Sequence, residues 1–203
     1  MNALRFDLEN LYRADVLKRL VAGATTGDAD AFLGAAAQLA WAGGWADALR
    51  ALVPLGTVPD TIRSAFQHVW DHSVSQEFGL RRTLTIDLLG QDQLLADGLR
   101  LLLPQPVRTP LTLYRLQSLK DYRAGQIGAW WDGDRSSALW LWGTTSAACD
   151  DGKIVLLQTE APAEAIVTGA PDEFGVVVDP RRLGSVRALG VLRFDREPEQ
   201  IAA

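Results

Sequence analysis

Cysteine occurs once in the 203-residue chain, at Cys149, and histidine only twice. A single cysteine can form no disulfide within the chain and build no multi-cysteine zinc site. Basic residues are also outnumbered, 20 Lys and Arg against 25 Asp and Glu, for a formal charge of -5. Such a chain lacks the basic face that a general nucleic-acid or membrane-surface role demands, although a local basic cleft stays open. No run of roughly 18 apolar residues escapes a charge, so no membrane span is expected. The stretch Met1–Leu20 carries Arg5, Asp7, Glu9, Arg13, Asp15, Lys18 and Arg19. That is an amphipathic helix pattern without the apolar core of a signal peptide. These absences imply a cytoplasmic protein with neither nucleic acid nor membrane as partner.

What the chain has is apolar residues, 48% of the total, including seven Trp. A chain of this length and composition can bury a core and is not of the disordered class. The first half reads as helices. Leu4, Leu8, Leu11, Val16, Leu17 and Leu20 recur near helical spacing until Gly23 interrupts. Asp28 or Asp30 is placed to cap a second helix through Phe32, Leu39 and Ala40, which Gly43-Gly44 ends. A third spans Trp45–Leu52, stopped by Pro54. A fourth opens at Pro59-Asp60, with Val58, Ile62, Ala65, Phe66 and Val69 as its stripe. The last runs from about Gln91 to Leu103, and Pro104 closes it.

After Pro110 the pattern changes to short strands at Leu111–Leu116, Lys153–Thr159, Ala165–Thr168, Phe174–Val178 and Ala188–Phe194. One helix interrupts them at Ser136–Trp142. Val176-Val177-Val178 reads as a strand buried on both faces. Helices first and strands afterwards predict an α+β protein, with a helical region over 1–105 and a mixed β-sheet domain over 106–203 that packs separately or as one unit.

The order of motifs in the second half carries a resemblance. A strand ends in Leu113-Tyr114-Arg115, and a second follows with Gly128-Ala129-Trp130-Trp131-Asp132. A helix and the strand led by Gly152 come next, and then Asp172-Glu173-Phe174-Gly175-Val176-Val177-Val178-Asp179-Pro180. This resembles small bacterial proteins with an ADP-ribosyltransferase-like fold. Their pattern is Tyr-Arg-Gly, then Gly-x-Ser-Trp-Thr, then Glu-x-Glu before an apolar strand ending in Asp-Pro. The resemblance covers roughly residues 111 to 185, and Leu-Arg-Leu-Leu-Leu-Pro at 99–104 fits the same group.

The resemblance implies a compact mixed-sheet domain that handles NAD and needs no metal. Cleaving nicotinamide from ribose develops positive charge on the sugar, as in glycoside cleavage. An Arg fork then holds the diphosphate, and a carboxylate stabilises the ribosyl cation. Carried over by position, Arg115 matches the phosphate-holding Arg, and Gly128, Ala129, Trp130 and Trp131 form the second cofactor-binding segment. Leu116 stands where Gly is usual, Ala129 where Ser is, and Trp131 where Thr is. Glu173 matches the first Glu of the pair and is the remaining catalytic candidate. Gly175 replaces the catalytic Glu itself. On a regular strand Glu173 lies roughly 6–7 Å from that position. Losing the carboxylate would cost about two to four orders of magnitude in rate. The resemblance therefore implies a degenerate NAD site that binds a nucleotide-like ligand or a protein partner. Two alternatives stand beside it. One is an active NAD-consuming transferase or glycohydrolase with a relocated carboxylate, using Glu173, Asp172 or Asp179. The other is a structural or adaptor protein that uses its helices and exposed Trp residues.

Other features have plainer readings. Of Trp130 and Trp131, alternation lets only one face inward. The other faces a cleft or an interface, and Trp140 and Trp142 compete for the same roles. His68 and His72 stand at i, i+4 around Asp71, but Asp is shorter than the Glu a zinc protease requires, so no metal site is expected. Gly125-Gln126-Ile127-Gly128 is too sparse for a phosphate loop. Arg81-Arg82 and Arg181-Arg182 read as solvated pairs.

Overall fold

Helix-forming periodicity in the first half and alternation in the second produce the α+β architecture seen in the computed structural model. It describes residues 2–42, 44–72, 80–105, 108–140, 153–169 and 175–193. The chain divides into two units, Met1–Pro106 and Val107–Ala203. Glu173, Asp172, Cys149, Trp142, Gly43, Gly152, Phe174 and Phe194 lie outside the described residues, as do the side chains of His72 and Arg82.

Among its described residues, the first unit consists of α1 (Asn2–Thr26), α2 (Ala29–Ala42), α3 (Trp45–Leu52), α4 (Asp60–His72), α5 (Leu80–Asp87) and α6 (Asp92–Leu102). Its core is built from Leu20, Phe32, Leu39, Trp45, Leu49, Ile62, Phe66, Trp70, Leu84 and Leu95, all buried. Phe66 is its hub. It meets Phe32 and Trp45 edge-on and stacks on Trp70, with centroids 6.4, 6.2 and 6.3 Å away. The interruption expected at Gly23 does not occur, because α1 continues to Thr26 and turns at Gly27, φ 78°. Gly23 serves close packing: a Cβ there would stand 2.9 Å from the Phe32 backbone N. Its carbonyl also accepts the N–H groups of Gly27 and Asp28, and Asp28 Oδ1 then caps α2 by accepting from Ala31 N, 3.0 Å.

The stripe of α4 keeps the expected Val58, Ile62 and Phe66 and continues on Trp70 instead of Val69. Val58, Ile62, Phe66 and Trp70 are buried, whereas Ala65 and Val69 are half-buried. The sequence reading placed no helix at α5, whose Leu80 and Leu84 are nonetheless buried, as is Leu88 just after it. This short helix also completes a neighbour, since Asp87 Oδ2 accepts from Gly44 N and Trp45 N at the start of α3. Arg81, expected in solvent, instead places its guanidinium 4.8 Å from the Trp70 ring centroid and donates Nε–H to the Trp70 carbonyl.

The second unit contains β1 (Leu111–Ser118), α7 (Leu119–Arg123), β2 (Trp130–Trp131), α8 (Arg135–Trp140), β3 (Lys153–Ala161), β4 (Ile166–Thr168), β5 (Val176–Val178) and β6 (Val186–Arg193). They form two antiparallel sheets, ordered β1-β3-β6 and β2-β5-β4. A bridge between Tyr114 and Asp132 joins β1 to the end of β2, each residue donating to the other's carbonyl at 2.9 and 2.8 Å. The main core comprises Leu113, Leu119, Trp131, Val155, Leu157, Val176 and Val178, and a smaller one comprises Leu116, Ala138, Ile154 and Leu156. Val176, Val177 and Val178 are all fully buried, the two-sided burial that their continuous apolar run implied. Arg181 and Arg182 are exposed, as expected, and Arg181 also forks onto the buried Asp179 carboxylate with Nε and Nη2 at 2.8 and 3.0 Å, while Arg182 Nε lies 3.4 Å from it. An Asp buried at the end of a strand needs such partners, and the exposed basic pair supplies them from the surface. Among the described residues, no helix is long and apolar enough to cross a membrane.

Candidate functional site

Strand β1 brings Leu113, Arg115 and Gln117 to one face, because strand side chains alternate. Leu113 is core, while Arg115 is half-buried and Gln117 only 5% exposed. A polar pair so placed must find partners. Gln117 Oε1 accepts from Arg115 Nε at 2.9 Å and from Gly128 N at 3.4 Å, and its Nε2 donates to the Gln126 carbonyl at 2.8 Å. Arg115 Nη1 donates to the Trp130 carbonyl. The guanidinium lies across Gly128, where a Cβ would stand 3.0 Å from Arg115 Nε and closer still to Cζ and Nη2. A side chain there would require the guanidinium to move.

The segment 128–132 therefore receives Arg115 from one side and β5 from the other. Ala129 is fully buried and its carbonyl accepts from Val178 N, 2.8 Å. Trp131 is the inward-facing indole, 1% exposed, with its N–H donated to the Gly128 carbonyl at 2.9 Å. Trp130 is half-buried and faces the opposite way. Its ring lies beside Gly175, whose hypothetical Cβ would approach Trp130 Cε3 to 3.2 Å. Gly175 has φ 84°, the left-handed region that residues bearing a Cβ adopt only at a cost. The five positions 115, 128, 129, 130 and 131 are thus brought together, and Gly175 stands at their edge.

Two residues here escaped the sequence reasoning. Gln117 orients Arg115, and nothing in a strand of mixed character singles it out. Asp132 is the second. The β2–β5 ladder pairs Trp130 with Val177 and Trp131 with Val176, and Asp132 follows it, bridged to Tyr114 of β1. Asp132 is half-buried. Its carboxyl titrates above the ordinary Asp value: burial is the main cause, the Asp134 charge pushes the same way, and Arg115 pulls it down. Asp134 moves oppositely. It accepts from Ser137 Oγ and from the Ser137 and Ser136 N–H groups at the start of α8, which lowers its pKa.

Chemically, Arg115 offers an oriented guanidinium for an anion on the face of Leu113 and Trp131, while Trp130 and Asp132 offer an aromatic ring and a carboxyl group on the opposite face. Elsewhere, Trp140 is 78% exposed on α8 and His68 is exposed on α4. No group of three or more His, Cys, Asp or Glu able to hold a metal ion occurs among the described residues. Comparison with family models, curated proteins and solved structures finds no match to this chain.

Proposed function

We propose that the second unit is an ADP-ribosyltransferase-like domain with a degenerate NAD site, in a cytoplasmic protein that acts by binding a nucleotide-like ligand such as NAD or ADP-ribose. One observation carries this reading. Three segments far apart in sequence meet, with Arg115 bonded to the Trp130 carbonyl and the Trp130 ring against Gly175. The resemblance requires that meeting, and a chance likeness of short motifs would not. Gln117 holds the guanidinium in place for a diphosphate, and Trp130 provides a platform for an adenine or nicotinamide ring.

The degeneracy has a backbone basis. At φ 84° position 175 suits glycine, so a side chain reaching a ribosyl cation from there would strain the chain. Binding without turnover follows. Calorimetric titration of the full chain with NAD and with ADP-ribose should give saturable binding, and labelled NAD should release nicotinamide only at background. No saturable binding of either ligand would remove this reading. Nicotinamide release that Glu173→Gln abolishes would replace it with a working transferase or glycohydrolase.

A second reading, an adaptor that docks a protein partner, is favoured by Trp140 at 78% and Leu89 at 83% exposure. Of these, Trp140 is of the residue type enriched among interface anchors. Light scattering and pull-down decide it, and a clean monomer without a co-purifying partner counts against it.

A further inference from the structure

Strand β6 is the outer strand of the β1-β3-β6 sheet, and among the described residues no strand pairs with its other edge. We infer that this edge takes up an extended, acidic segment of a partner protein as an added strand. This role does not depend on the nucleotide site proposed above.

In an antiparallel pair, alternate residues turn their N–H and C=O groups away from the partner strand. On β6 these groups meet no ladder partner among the described residues. Its side chains are equally open. Arg187, Ala188, Leu189, Gly190 and Val191 are all exposed, with Leu189 at 39% and Val191 at 50%. The neighbouring β3 is fully buried over 154–157. Strand β6 is therefore held in place by β3 while its centre stands open on both faces and at the edge. Strand addition needs that combination: main-chain groups supply affinity, and alternate side chains supply selection. The β3–β6 pairing shifts between Leu156 and Leu157, which leaves Leu189 as an extra residue. The regular edge is thus limited to 186–188 and 190–193, and a short segment fits it.

Charge selects the occupant. Strand β6 carries Arg187 and Arg193 and no acidic residue, in a chain where 25 acidic residues outnumber 20 basic ones. Arg193 stands across the ladder from the exposed Lys153 of β3. Arg187 stands across from Gln158 and donates Nε and Nη2 to its Oε1 at 3.0 and 2.6 Å. Glu160, further along β3, accepts from Thr112 Oγ1 of β1 at 2.9 and 3.0 Å. The open edge is therefore positive toward both ends, with small and aliphatic residues between. Pairing with a second copy would bring the arginines of both copies onto adjacent strands, which like charge opposes. An incoming strand that alternates aliphatic and acidic side chains matches the edge in charge and in period.

The experiment selects a displayed library of random octapeptides on the full chain and measures the enriched peptide by fluorescence anisotropy. Sequences alternating aliphatic residues with Asp or Glu should be enriched. N-methylation of alternate peptide residues in one frame should weaken binding about tenfold or more, because those N–H groups point at β6, and methylation of the other frame should leave it unchanged. The exposed pair changed together, Arg187→Glu with Arg193→Glu, should weaken binding about tenfold without lowering Tm. Enrichment of basic or uncharged peptides, equal loss from both methylation frames, or binding that the double variant leaves unchanged overturns the proposal. So does the absence of any enriched peptide. A concentration-dependent dimer that Val191→Asp disperses, with no peptide enriched, assigns the edge to a second copy and overturns it as well.

Discussion

Placing a methyl group on Gly128 tests the arrangement at its tightest point. In Gly128→Ala the new Cβ would stand 3.0 Å from Arg115 Nε and nearer still to Cζ and Nη2. The guanidinium must then withdraw by about 1 Å or more to restore ordinary contact. Withdrawal breaks the Nε bond to Gln117 Oε1 at 2.9 Å and the Nη1 bond to the Trp130 carbonyl. It leaves Gln117, 5% exposed, with the Gln126 bond and only the long 3.4 Å approach of Gly128 N to Oε1. Two charge-assisted bonds at a half-buried position contribute about 1–1.5 kcal/mol each, so the loss is about 2–3 kcal/mol. In a unit of this size that lowers Tm by roughly 10 °C. Arg115 is the stated cause, so Gly128→Ala should cost little in an Arg115→Ala background. A double-mutant cycle by chemical denaturation should yield a coupling of about 2 kcal/mol. A cost that is the same in both backgrounds, or below about 0.5 kcal/mol in wild type, would refute the role given to Gly128.

Three further outcomes follow from the same geometry. Gly175→Glu, which puts back the acidic residue the resemblance expects, should destabilise the unit by about 1–3 kcal/mol and restore no nicotinamide release, because φ at 175 is 84°. Denaturant melts and an NAD turnover assay check both halves. The raised pKa of Asp132 means that the folded unit holds its proton more tightly than the unfolded chain does. Its stabilising contribution is present below the unfolded value of 3.8 and is lost as pH rises through the higher folded pKa. Wild type should therefore lose stability relative to Asp132→Asn across that window, as followed by Tm against pH, and identical profiles would contradict the shift. Asp179→Ala strips a fully buried carboxylate from the Arg181 fork and from Arg181 N. The arginines are partly solvated, so a loss of about 2–3 kcal/mol in denaturant stability is expected, and no change would show the cluster to be incidental.

Much of the architecture is legible in local pattern. Trp45–Leu52 matches α3 residue for residue, and the apolar run at 176–178 announces its own burial. Where expectation and structure part, a partner distant in sequence is responsible. Gly23 looks like a helix stop until Phe32 packs against it, and Arg81 looks solvated until Trp70 lies beneath it. Helix α5 has eight residues, Leu80–Asp87, with Thr and Ile among them, and its apolar stripe acquires meaning only when there is a core to face.

For the site the division is sharper. Residue types and motif order alone pointed to Arg115, Gly128 and Trp130, and showed that position 175 lacks an acidic side chain. Only tertiary structure decided that Gln117 steers the guanidinium, that glycine at 175 answers to a left-handed backbone, and that Asp132 is bridged to Tyr114. The reason is physical. Helix and strand signals repeat every few residues and are written along the chain, whereas strand register pairs Trp130 with Val177 and Asp132 with Tyr114, which no local pattern encodes.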